Sequence, residues 1–158
     1  MKRSILIFTI GIFVLSSCQK LKDPGATAAV NMANEWWVTL DSVGKADYSR
    51  IGHFKIASYN TSANEDSIWI DDLGHGWNVK FKAKADFSNL TFGASNSSNL
   101  YYPITVNLND GKVLLDAGHT RSGNVADSIH MKLVFSDDPG AIYEMNGVAR
   151  TRFAEDDY

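Results

Sequence analysis

The chain has 158 residues, a formal net charge of −3 at pH 7 and a single cysteine. An acidic balance argues against a protein that grips nucleic acid or anionic headgroups through basic residues, and one cysteine excludes an internal disulfide framework. With 44% hydrophobic residues, the length suits one domain around one core.

Lys2 and Arg3 open the chain, followed by the apolar stretch Ile5 to Leu15 and then Leu15-Ser16-Ser17-Cys18. This order of charge, apolar core and small residues is that of a secretory signal over residues 1–17. As a helix the apolar stretch covers about 16 Å, half of the ~30 Å hydrocarbon core, so a retained transmembrane anchor is the poorer reading. Leu-Ser-Ser-Cys resembles the bacterial lipoprotein signal. That resemblance implies that Cys18 is acylated, becomes the first mature residue and ties the protein to a membrane, each buried CH₂ contributing about 0.8 kcal/mol. Without residues 1–17, 13 Lys plus Arg stand against 18 Asp plus Glu, so attachment rests on the lipid. The expected location is the cell envelope, with Gln19 after the cysteine pointing to the outer membrane.

Residues 18–34 read as the lipidated cysteine and a tether, in which Asp23-Pro24-Gly25 and the Ala-rich run after it suit a frayed helix or coil. Fully extended, the arm reaches about 50 Å. From Glu35 to the end, a single domain is expected, because the pattern changes to period 2 with β-branched and aromatic residues. Eight strands are predicted: 35–41, 48–60, 65–72, 76–87, 101–109, 112–119, 125–136 and 141–153. The clearest is Trp77 to Phe87, apolar at every odd position and polar at every even one. Asn109-Asp110-Gly111 reads as a hairpin turn, Asp138-Pro139-Gly140 as another, and Phe92 to Leu100 as a flexible loop beside a barrel mouth.

Eight antiparallel strands, each with one apolar face, predict an all-β, eight-stranded up-and-down barrel, with a β-sandwich as the alternative. Lys80, Lys82 and Lys84 on one exterior face argue against a membrane-spanning barrel. Trp69, Trp77, Phe81, Tyr102, Leu114, Met131, Phe135 and Tyr143 are expected to point inward, and all of these except Leu114 form the candidate lining of a site for an apolar small molecule or lipid.

Asn34-Glu35-Trp36-Trp37 and an arginine near the end of the last strand, Arg150 or Arg152, resemble the closure of lipocalin-type barrels, which implies a Trp packed beneath an Arg at the barrel end. Most of the mature chain is similar to small Bacteroidetes lipoproteins called lipid-binding putative hydrolases. The likeness rests on the signal, the tether, Glu-Trp-Trp-Val, Gly-His-Gly-Trp at 74–77 and the closing Gly147-Val148-Ala149-Arg150-Thr151-Arg152-Phe153. It implies a lipocalin-like barrel and an apolar ligand.

No catalytic constellation stands out. His53, His75, His119 and His130 lack close metal-ligand spacing, so no metal or other cofactor is expected. There is no Gly-x-Ser-x-Gly elbow. A hydrolytic set would need a serine from Ser95–Ser98 or Ser122, with His119 or His75 as base and Asp72 or Asp116 as orienter. The rival function is a carbohydrate-binding or adaptor lipoprotein of a surface nutrient-uptake system, stacking sugars on exposed Trp36, Tyr101 and Tyr102. Asp41-Ser42-Val43 resembles a Bacteroidetes O-glycosylation acceptor and is expected in an accessible turn.

Overall fold

A computed structural model describes residues 25–43, 50–63 and 66–158. Cys18, the signal and most of the tether lie outside the described residues. Eight strands follow one another: β1 (Asn34–Val43), β2 (Arg50–Asn60), β3 (Ser67–Asp71), β4 (Lys80–Asp86), β5 (Thr91–Ser98), β6 (Thr105–His119), β7 (Val125–Phe135) and β8 (Ile142–Ala149). Each pairs antiparallel with the next, and β8 pairs with β1, so the sheet closes in chain order. The expected up-and-down barrel is the fold, and the sandwich alternative is set aside. Connections after β1, β3, β5 and β7 lie at one end, while those after β2, β4 and β6 lie at the other with the start of β1 and the end of β8. We call these the loop end and the terminal end.

Alternation puts one row of each strand inside. Phe81, Ala83 and Ala85 of β4 are buried while Lys82 and Lys84 face water. Ile129, Met131, Leu133 and Phe135 of β7 are buried likewise. Closure thereby hides every apolar row without leaving an unpaired edge.

The number of strands agrees with the sequence pattern, but two assignments differ. The segment expected to be a loop, Phe92 to Leu100, is largely β5. Its small polar residues offer little burial, and it is held as a strand by ladders to β4 and β6 on either side. The two runs expected on either side of Asn109-Asp110-Gly111 are one 15-residue strand, β6. Asp110 does take a positive φ of 55°, but it forms a bulge rather than a turn. Across it the pairing with β7 passes from Asn109↔Lys132 to Lys112↔His130, three residues on β6 against two on β7. Such a bulge exchanges the two faces of a strand. Before it Val106 and Leu108 point inward; after it Gly111 and Val113 do. Leu114, expected inward, is therefore 46% exposed. Gly111 lies against β5, where a Cβ would stand 2.3 Å from the Phe92 carbonyl oxygen.

Part of the expected tether belongs to the core. A turn at 28–32 buries Ala29 and Met32 at the terminal end. The Trp36 indole donates to Ser58 Oγ at 2.7 Å, and the Ser58 hydroxyl donates to the Met32 carbonyl. Ser42, expected in an accessible turn, is buried in β1.

The expected Trp–Arg pairing falls on the outer wall, not across the barrel end. Successive residues of a strand face opposite ways, so Trp36 enters the core and Trp37 faces out. The Arg150 guanidinium lies 6.0 Å from the Trp37 ring centroid. It also binds both carboxylate oxygens of Asp157 at 2.7 Å and donates to Glu35 at 2.8 Å. Arg152 is mostly exposed, 4.0 Å from Glu35. The C-terminal segment thus lies as a strap over the closing seam. Asp156 accepts from Ser122 and Thr151, and Tyr158 stacks on His53 with centroids 3.7 Å apart.

Gly147 sits on the closing seam, where a Cβ would meet the Trp37 carbonyl oxygen at 2.4 Å and Val38 at 2.5 Å. Gly147→Ala should lower unfolding free energy by about 1–3 kcal/mol in urea titration. Gly52→Ala, with open space around the new methyl, should be neutral or stabilising by up to about 1 kcal/mol. The Arg150 guanidinium draws the Asp157 carboxyl down to about 2. Its contribution is therefore complete above the unfolded value of about 4 and is lost as pH falls through 2. Urea midpoints measured from pH 6 to pH 2 should decline less steeply below pH 4 in Asp157→Asn than in the parent chain.

Candidate functional site

The predicted lining residues separate into three groups. Phe81, Met131 and Phe135 are wholly buried in the barrel interior, with Tyr143 nearly so. Neighbouring Ile56, Ile68, Ile129 and Leu133 are 0–2% accessible, so almost none of their surface is open to a water molecule. The centre around these side chains is closed to solvent, as in an ordinary core.

Trp77 and Tyr102 cap the loop end. The Trp77 ring stacks on Phe135 at 4.8 Å and 7° and leans on Tyr143 at 4.8 Å. The Trp77 indole and the Tyr102 hydroxyl both donate to Asp137, at 3.3 Å and 2.8 Å. Burial and this acceptor push the Tyr102 hydroxyl up to about 12, so it stays a donor at neutral pH. Beneath the cap, Asp72 Oδ1 accepts from the Gly74 and Val79 amides at 2.9 Å each and shapes the β3–β4 loop. Its other oxygen is buried without a hydrogen-bond partner, and burial raises its pKa.

Trp69 is on the outside. Ile68 and Ile70 take the inward positions of β3, which turns Trp69 toward Lys82 and Lys80, whose ammonium groups stand 5.3 and 5.9 Å from its ring centroid. Of the aromatics considered as stacking platforms, Trp36 is buried and removed from that role. Tyr101 is 42% exposed and donates to Asp71 at 2.6 Å.

Several of the hydrolytic candidates are engaged elsewhere. Ser122 gives its hydroxyl to Asp156 at 2.6 Å, whereas His119 Nδ1 lies 3.4 Å from the Gly123 carbonyl. Ser97 donates to the Lys82 carbonyl, and His75 Nδ1 is 3.3 Å from the Lys55 carbonyl. Asp72 is occupied by loop amides, and the Asp116 amide donates to Asp127. None of these contacts links one of the candidate serines to a candidate histidine. No group of three or more His, Cys, Asp or Glu side chains suited to a metal ion forms among the described residues.

A large opening among the described residues is on the barrel wall, over β5 and β6. It is a groove of about 920 Å³, within the size range of small-molecule sites. Irregular pairing creates it. The β5–β6 ladder passes from Phe92↔Gly111 to Ala94↔Leu108 and then to Ser97↔Val106, with a register shift at each step. Gly93, between the first two pairs, places no side chain on the wall. Ala85, Phe92, Ala94 and Leu108 therefore form an apolar floor reached from outside, while Lys84, Asp86, Asp110, Lys112, His130 and Lys132 line the rim. Asp110 is paired with Lys132 at 2.8 Å, which holds its carboxyl below the usual range. Asp86 accepts from the Ser88 and Asn89 amides and the Asn89 side chain, and His130 faces Asn146 at 2.7 Å.

Sequence reasoning missed this groove because it took β5 for a loop. The available signal was Gly93-Ala94-Ser95, three small residues following a strand whose outer face is lysine. A smaller groove of about 320 Å³ lies beside the strap, between Trp37, His53, His119 and Tyr158.

No functionally curated protein matches the chain. A crystal structure from Bacteroides ovatus, described as structural genomics of unknown function, superposes with a TM-score of 0.50 at 11% identity. The superposition covers 80% of this chain and 43% of that one, so the chain spans under half of its length, and the likeness concerns the fold alone. A family described as lipid-binding putative hydrolase matches residues 21–154, from the arm through β8 and into the strap. The chain belongs to that family.

Proposed function

We propose that this protein is a lipid-anchored component of the cell envelope that holds an apolar molecule against the wall of its barrel. The observation that carries the reading is the groove over β5 and β6, with its floor of Phe92, Ala94, Leu108 and Ala85. Membership of a lipid-binding family supports an apolar ligand. The closed interior favours the wall over the lumen: a ligand placed among Phe81, Met131 and Phe135 would have to displace buried side chains, at a cost of several kcal/mol. A floor of this kind gains about 0.8 kcal/mol for each CH₂ that it takes from water.

The anchor in this reading is Cys18, acylated after removal of residues 1–17, with the segment from Gln19 as a tether to the outer membrane. Burial of Ala29 and Met32 places the start of the folded unit before Asn34. The acidic balance suits a protein held at a membrane by its lipid, not by its surface.

Residues 25–158 bury their own core and close their own sheet, so this segment serves for binding tests. A dansyl-labelled undecanoate probe should bind it with a fluorescence increase. Gly93→Leu fills the groove from a position where the new Cβ meets only the Leu108 carbonyl oxygen, at 3.4 Å. It should weaken binding at least about tenfold, the loss of roughly two buried methylenes, with an unchanged urea midpoint. Unchanged affinity in Gly93→Leu would place the site elsewhere, and absence of binding by the parent segment would overturn the apolar-ligand reading. For the anchor, the full chain carrying Cys18→Ser should move from the membrane to the soluble fraction; retention at the membrane would rule out acylation as the tie.

A further inference from the structure

We infer that the groove takes a long-chain amphiphile with an anionic carboxylate head, oriented by Lys84 and Lys112. This rests on the proposal that the groove is the ligand site.

The floor and the rim make different demands. Apolar side chains select a hydrocarbon but not its direction. The rim holds six ionisable groups: Lys84, Asp86, Asp110, Lys112, His130 and Lys132. Asp110 and Lys132 neutralise each other, and Asp86 is bound by Ser88 and Asn89. His130 lies between Asn146 and Glu144, 3.6 Å from the latter carboxylate. Lys84 and Lys112 make no direct ion pair or hydrogen bond among the described residues, although the charge of Lys112 helps to hold the Asp110 carboxyl low.

These two lysines stand on opposite sides of β5. Lys84 pairs with Gly93, and Lys112 pairs with Thr91, two residues along the same strand. Strands one apart in a sheet are about 10 Å from each other, a span that two lysine side chains close from either side. Gly93 leaves the space between them clear. An anion seated there accepts from both ammonium groups while its chain runs along Phe92, Ala94 and Leu108. On a chain whose overall charge is negative, two cations without a hydrogen-bonded partner on either side of an apolar floor are a local exception, and a carboxylate head is their complement.

Competition against the dansyl probe with dodecanoate, methyl dodecanoate and acetate tests this on residues 25–158. Dodecanoate should compete at least about tenfold better than its methyl ester, the discrimination expected of charge-assisted hydrogen bonds, and acetate should not compete. In Lys84→Met/Lys112→Met the dodecanoate-to-ester ratio should fall toward one, and Lys84→Arg/Lys112→Arg should keep it. Raising salt should reduce the ratio in the parent segment. Equal competition by acid and ester overturns the anionic head while leaving the apolar groove standing. Competition by acetate overturns the amphiphile, and failure of both long-chain compounds to compete overturns the groove itself together with this inference.

Discussion

Closure of the sheet imposes one constraint on which everything else depends: each strand must keep an apolar row facing inward for as long as it stays in the barrel. For the longest strand, β6, a regular alternation fails this condition. Val106 and Leu108 occupy even positions, Val113 an odd one. The bulge at Asn109–Lys112 resolves the conflict by exchanging faces partway along the strand. It is feasible because Gly111 can lie under the Phe92 carbonyl, where any side chain would collide. The same exchange interrupts the β5–β6 seam, and the interruption is the groove. A local adjustment required for burial thus creates the opening in an otherwise closed wall.

How much of this was legible in the sequence depends on what holds each element. β4 and β7 alternate cleanly over many residues, and burial of that alternating row is what makes them strands, so the pattern and the structure agree. β5 has almost no such row; only Phe92 is deeply buried, and its neighbours impose its conformation, which is tertiary information absent from local sequence. Asp110-Gly111 signals a positive φ correctly, but a turn and a bulge both need one, and nothing nearby distinguishes them. Trp69 shows a further limit. It is expected inward with the other apolar residues, although Ile68 and Ile70 beside it leave it only the outer face. The same parity argument separates Trp36 from Trp37. Of the proposed site, an apolar ligand was the expectation from the inward-facing residues and the resemblance; the groove on the wall was not legible, because it arises from a register shift between two strands.

The closed interior changes the meaning of the barrel. With Phe81, Met131 and Phe135 serving as ordinary core, the sheet is a support, and what distinguishes its surface is what projects from its outside. The loop end is sealed by Trp77 over Phe135 and Tyr143, with Asp137 receiving both Trp77 and Tyr102. The terminal end is sealed by the Met32 turn and flanked by the strap at Arg150 and Asp157. Both ends are therefore spent on stability, and the wall over β5 remains the surface where small residues leave room.

The seating of Met32 and Trp36 also determines how the molecule answers a pull. The N-terminal arm enters β1 at the terminal end, and β1 is paired on one side with β2 and on the other with β8. Tension on the arm is directed along the axis of β1, whereas the hydrogen bonds of both ladders lie across it. The load is then shared in shear by two ladders at once, not applied to one bond after another as in unzipping. The Trp36–Ser58–Met32 bridge adds a first point of resistance before the strand is reached. A barrel pulled by its first strand in this way is suited to staying folded under load.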